Sequence, residues 1–146
     1  MKEKILDYLK DHYNINVSQL LISGVKNGSV GMIDALDALG DSLPLVYTTQ
    51  KDEEETDFYL FCIGEDRCRD KMDTFISGLK SFIQENSNRK IAKSSYDKEW
   101  YYWQDKDVKL SFGIKSERSG FSMRLSIPNN ELTLSQPSTK KITEGL

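Results

Sequence analysis

Residues 100–127 read WYYWQDKDVKLSFGIKSERSGFSMRLSI, and the architecture is built outward from them. In this stretch Val108, Leu110, Phe112 and Ile114 alternate with Lys109, Ser111 and Gly113. Further on, Phe121, Met123, Leu125 and Ile127 alternate with Ser122, Arg124 and Ser126. Period-two alternation of this kind marks strands buried on one face. The run Trp100-Tyr-Tyr-Trp103 supplies a third strand, and the three form consecutive antiparallel partners.

A two-residue turn at Asp105-Lys106 sets Trp103 opposite Val108, Tyr102 opposite Lys109 and Trp100 opposite Ser111. In the next hairpin, matching apolar faces puts Ile114 opposite Phe121, Phe112 opposite Met123 and Leu110 opposite Leu125. Ser111 then meets Arg124, and Lys109 meets Ser126. Tyr101 and Trp103 fall on the core face, Trp100 and Tyr102 on the outer one. A slip of one residue would bury Lys109 and Arg124, at a cost of several kcal/mol.

The flanking sequence supplies the rest of an α+β fold. Residues 2–13 place Ile5, Leu6, Leu9 and Tyr13 at helical spacing, with His12 in the last turn. A cation there suits the helix dipole. Residues 15–23 are compatible with a strand or with a helical turn begun at Ser18. The segment 24–31 is a glycine-rich loop, followed by an expected helix capped by Ser29, with Val30, Ile33, Leu36 and Leu39 in one stripe and Gly40 at its end. A hairpin turn at Asn27-Gly28 is the other reading of that loop.

Pro44 precedes a strand at 45–50, and the acidic tip around Glu53–Glu55 leads into a strand at 58–63 that is apolar on both faces. A helix is expected over 66–85, with Cys68, Met72, Phe75, Ile76, Leu79, Phe82 and Ile83 in its stripe. Residues 86–97 read as a polar connection, 131–135 as a short edge strand and 137–146 as a tail or helical turn. The expected fold is therefore an antiparallel sheet of five to six strands packed on one long helix, with a smaller helical N-terminal part. It forms one domain over 1–146: a mainly helical part at 1–41, sheet plus long helix at 43–135 and a tail at 136–146.

Composition narrows function without naming it. The 146 residues carry 38% hydrophobic and 29% charged residues, the balance of a globular chain rather than a disordered one. No apolar run approaches the ~20 residues that cross a bilayer, and the amphipathic N-terminus lacks the apolar core of a secretion signal. The expected setting is cytoplasmic, with Cys62 and Cys68 as reduced, packed thiols.

Net charge is −3, which argues against non-specific wrapping of nucleic acid. The charge is uneven: residues 1–57 hold five Lys against eleven acids, and 98–127 hold six Lys or Arg against four.

No motif supports catalysis, a cofactor or a metal. The glycine loop lacks the ending of a P-loop and the dinucleotide fingerprint, and Asp34 and Asp37 would repel an anion. One His and two Cys do not make a familiar zinc set. Asp66, Asp70 and Asp73 are interleaved with Arg67, Arg69 and Lys71, which is the pattern of a solvated, salt-bridged face.

What stands out is the outer sheet face, where Trp100, Tyr102, Lys109, Lys115 and Arg124 are the expected partner-binding residues. Trp, Tyr and Arg dominate the energetics of protein interfaces. The expected function is stoichiometric, non-catalytic binding of another protein, as by an immunity protein, inhibitor or chaperone-like adaptor. The Glu53–Glu55 tip is a second possible contact. Nucleotide or single-stranded nucleic-acid binding on the same face is the alternative, and a small enzyme using His12 is third. The competing structural expectation is that the N-terminal segment covers Trp100 and Tyr102.

Overall fold

The computed structural model describes residues 1–22, 30–62, 65–95, 99–114 and 121–132, and omits the side chains of residues 22, 65–70 and 132. The fold is α+β. Helix α1 (Lys2–Tyr13) and the short α2 (Val17–Ile22) precede strands β1 (Val30–Leu36), β2 (Ser42–Lys51) and β3 (Glu55–Cys62). Helix α3 (Glu65–Asn86) crosses to β4 (Ala92–Lys93), β5 (Glu99–Gln104), β6 (Lys109–Ile114) and β7 (Phe121–Pro128), and α4 (Asn129–Leu132) follows. The strands form one sheet in the order β1-β2-β3-β7-β6-β5-β4, every neighbour antiparallel.

One face of the sheet holds the core. Leu43, Leu45, Phe58, Leu60, Leu110, Phe112, Phe121, Met123, Leu125 and Ile127 join Ile5 and Leu9 of α1 and Met72, Phe75, Leu79 and Ile83 of α3 in a single buried cluster. Aromatic contacts tie the helices to each other and to the sheet. Tyr8 stacks on Phe82 at 4.4 Å, and the Phe75 ring meets Phe121 edge-on at 5.1 Å.

The ends of α1 are anchored by polar groups. The Lys2 amide donates to Asp107 Oδ2 at 3.2 Å, and its buried Nζ donates to the Glu131 carbonyl at 2.9 Å. At the other end Asn14 adopts a left-handed conformation (φ 56°), and its side chain donates to the Asp34 carbonyl of β1. The ambiguous stretch after it is helical because Asn16 Oδ1 accepts the Gln19 amide at the helix start.

Several expectations are corrected. The sheet has seven strands rather than five to six. The helix expected after the glycine loop is instead β1. Residues 30–36 fit period two as well as period 3.6, and pairing with β2 decides the matter: Gly31, Ile33 and Ala35 turn toward Tyr47, Leu45 and Leu43. Gly31 is required there because a Cβ would strike the Tyr47 ring. Gly40, expected as a helix end, sits in the β1–β2 turn at φ +83°.

The two-residue β4 lies within the stretch read as a plain connection. Of the edge strand expected at 131–135, residues 131 and 132 belong instead to α4, and 133–135 lie outside the described residues. Asn129 draws the chain onto the β2–β3 turn, its amide donating to the Glu54 carbonyl and its side chain to the Asp52 carbonyl. Cys62 is disulfide-bonded rather than a reduced thiol. The glycine loop at 24–29, the alternative turn at Asn27-Gly28 and the tail at 136–146 lie outside the described residues.

An outer-face cleft lined by cations and an aromatic ring

The β6–β7 register is the expected one, with Ser111 opposite Arg124 and Lys109 opposite Ser126. The β5–β6 register is shifted by two residues. Tyr102 faces Ser111, Gln104 faces Lys109 and Trp100 faces Gly113. The cause is a four-residue turn rather than a two-residue one, closed by the Asp105 amide donating to the Val108 carbonyl at 2.8 Å. A shift of two preserves the side-chain faces, so Trp100 and Tyr102 still point outward while their neighbours change.

The N-terminal helix does not cover these rings, because α1 packs on the opposite face of the sheet within the core cluster. Their fates nevertheless differ. Tyr102 is 48% exposed, whereas Trp100 is only 5% exposed. Trp100 lies outside the core cluster, opposite the side-chain-free Gly113 and edge-on to Tyr102 at 6.3 Å between ring centres. It belongs to the floor of the face, not to its contact surface. Lys115 lies outside the described residues.

The three remaining expected residues are brought together. Tyr102, Lys109 and Arg124 line one cleft of about 620 Å³ on the outer face. This volume falls within the range of roughly 300–1,000 Å³ in which proteins hold compact ligands. Sequence reasoning missed three further charged residues of the lining. Arg89 and Lys90 come from the chain just before β4, and Glu55 comes from the start of β3. The sequence offers Glu55 only as part of an acidic hairpin tip and a separate possible contact, and the other two as connection. Their signal was present only as charge, since nothing local says which strand they flank.

Carboxylates of β3 and of the β5–β6 turn stand against the cations. Arg124 Nη2 donates to Asp57 Oδ2 at 2.7 Å and lies 3.8 Å from Glu55 Oε1. Lys109 Nζ lies 3.5 Å from Glu55 Oε2, and Arg89 Nε is 3.2 Å from Asp105 Oδ1. The Arg124 guanidinium also stands over the Tyr59 ring at 5.5 Å, and the Tyr59 hydroxyl donates to Asp57 Oδ2 at 3.3 Å.

For Arg124, partial burial works against the charge, but the Asp57 hydrogen bond and charge outweigh it and keep the guanidinium above its ordinary pKa. The Tyr59 phenol is raised as well, first by burial and then by the negative charge of Asp57. Both groups are held in their protonated forms.

Among the described residues no three His, Cys, Asp or Glu are grouped as a metal site. His12 is exposed on α1, its ring tilted against Tyr8 with centres 4.7 Å apart, and does not line the cleft. No helix among the described residues is long and apolar enough to cross a membrane. No family model, no curated protein and no solved structure matches the chain.

Proposed function

We propose that this protein acts by stoichiometric, non-catalytic binding to another protein, received at the outer-face cleft, as an inhibitor, immunity protein or adaptor would. The observation that carries the reading is the convergence of Tyr102, Lys109 and Arg124 on one cleft of a sheet face that, among the described residues, the helices leave uncovered. An exposed tyrosine that lines the same cleft as an arginine already fixed by Asp57 supplies a pre-organised contact surface, and such residues carry most interface energy.

The same cleft could take a nucleotide or a single-stranded nucleic acid, but two features favour protein. Successive bases need successive exposed rings, and only one of the two expected rings, Tyr102, is exposed. Moreover Arg89, Lys109 and Arg124 are each matched by a carboxylate, which weakens the field that a polyanion requires. Catalysis through His12 gains no support from its position.

The test is complex formation. Purified protein is mixed with candidates captured from the host, and stoichiometry is read by light scattering after gel filtration. The Tyr102→Ala, Arg124→Ala double variant should lose a one-to-one complex that the wild type keeps. An unchanged complex overturns the cleft as the contact. A cytoplasmic setting belongs to the same proposal. There the Cys62 disulfide would meet a reducing thiol pool, so cell fractionation with thiol trapping checks both.

A further inference from the structure

The ion pairs of the cleft are of two kinds. Arg124 and Asp57 meet at 2.7 Å, and the Asp57 side chain is only 10% exposed. Glu55, by contrast, is shared between two cations at the long end of contact, accepting a hydrogen bond from Lys109 Nζ at 3.5 Å and lying 3.8 Å from Arg124. Both those cations are well exposed, and exposed pairs of this length are worth little, about 0–1 kcal/mol. Asp57 therefore aims the guanidinium, while Glu55 occupies the space in front of it.

Guanidinium geometry extends the argument. Among the described residues Arg124 makes one hydrogen bond, through Nη2 to Asp57, out of the five donors such a group carries. A carboxylate seated squarely before it could accept two parallel bonds, which Glu55 at 3.8 Å does not. Lys90 lines the same cleft and has no ion-pair partner among the described residues. Asp52, Glu55, Asp57 and Asp105 equal the cations Arg89, Lys90, Lys109 and Arg124 in number, so what the cleft offers is a loosely engaged carboxylate rather than an excess of positive charge. A partner that covered this cleft without bringing a carboxylate would desolvate loosely held cations, at a net cost.

We infer that the cleft recognises an acidic, carboxylate-bearing segment of the partner protein, and that Glu55 is the resident carboxylate which this segment displaces from Lys109 and Arg124. The inference rests on the protein-binding reading above and names the chemistry of the partner. It makes Glu55 an internal competitor: Asp57 keeps Arg124 aimed throughout, and the incoming carboxylate takes over the contacts that Glu55 makes loosely. Lys90 adds attraction for a second acidic side chain.

The experiment titrates a fluorescein-labelled peptide of alternating Glu and Tyr, six residues long, against wild type, Glu55→Gln, Lys109→Ala and Arg124→Ala. Matched titrations use ATP and an oligothymidylate. Melting curves confirm that each variant folds, and Glu55→Ala serves as a second variant if Glu55→Gln does not fold. The expected result is peptide binding that tightens about five- to tenfold in Glu55→Gln and weakens at least tenfold in Arg124→Ala and Lys109→Ala.

Unchanged or weaker peptide binding in the Glu55 variant overturns the competitor role. If the wild type still forms its Tyr102-dependent protein complex in that case, the protein-binding reading stands without it. Binding of ATP or oligothymidylate that tightens in Glu55→Gln, with no peptide binding, overturns the acidic-peptide assignment and the protein-binding reading together.

Discussion

Arg124 and Asp57 are joined diagonally across the β3–β7 ladder. Arg124 faces Tyr59 and Asp57 faces Ser126 in the register, yet the guanidinium reaches back to Asp57 Oδ2 at 2.7 Å. The carboxylate is buried, and its other oxygen, Oδ1, has no hydrogen-bond partner among the described residues. Asp57 therefore depends on Arg124 and the Tyr59 hydroxyl for its compensation. Removing Arg124 as Ala should cost about 1–2 kcal/mol, less than a fully buried pair because the guanidinium is half exposed. Asp57→Ala should cost a similar amount, and the double variant less than the sum of the two. Urea unfolding of the four proteins measures this coupling.

Gly113 separates local strain from ordinary turn flexibility. Its φ is +139°, and a Cβ there would run into the Glu99 carbonyl of β5. Gly113→Ala should lose about 3 kcal/mol or fail to fold. Gly40 also has positive φ, +83°, but nothing stands within reach of a Cβ. Gly40→Ala should lose only about 1 kcal/mol. Thermal melts of the two variants test the contrast.

Trp100 and Tyr102 should respond oppositely in two assays. Trp100 is buried, so Trp100→Ala should cost about 3 kcal/mol of stability. Tyr102 is half exposed, so Tyr102→Ala should change stability by no more than about 0.5 kcal/mol. Partner binding should fall in Tyr102→Ala with the fold intact. Denaturant unfolding beside a binding titration reads both.

Acid should weaken the protein through two turn carboxylates. The Asp52 carboxylate is held below its ordinary pKa, mainly by accepting the Glu55 and Glu54 amides in the β2–β3 turn. Asp37 is lowered first by the Asp41 amide and then by Lys71 and the Leu39 amide. Groups lowered on folding contribute stability above their unfolded pKa and lose it as pH falls through the folded value. The deficit of Asp52→Asn relative to wild type should be full at neutral pH and shrink below about pH 4. Melting temperatures across that range, for wild type and the Asn variant, provide the measurement.

Legibility in the sequence followed the range of the interactions. Between β6 and β7 two alternating runs admit one pairing that buries both apolar sets, and the observed register matches it residue for residue. Between β5 and β6 the face was legible but the partner was not, because Asp105-Lys106-Asp107 closes a two-residue or a four-residue turn with equal ease. Residues 30–36 carry both periods, and only the distant β2 makes them a strand. The candidate site was legible on the strands that follow α3, as Tyr102, Lys109 and Arg124. Glu55 and Asp57 were not, since the pairing of β3 with β7 is non-local and no local pattern announces it.

That pairing also orders events in time. The chain folds back on itself as two meanders, one before α3 and one after it, and among the described residues the β3–β7 ladder is the only strand pairing between them. Each meander is made of neighbouring hairpins that can close locally, whereas the ladder must close a loop more than sixty residues long between Tyr59 and Arg124. The cleft takes Glu55 from one meander and Lys109, Arg124 and Tyr102 from the other. On a growing polypeptide, neither meander alone holds both Arg124 and the Asp57 carboxylate that aims it. On the protein-binding proposal, a partner would meet the aimed Arg124 only on chains that have completed β7, the last described strand to be synthesised.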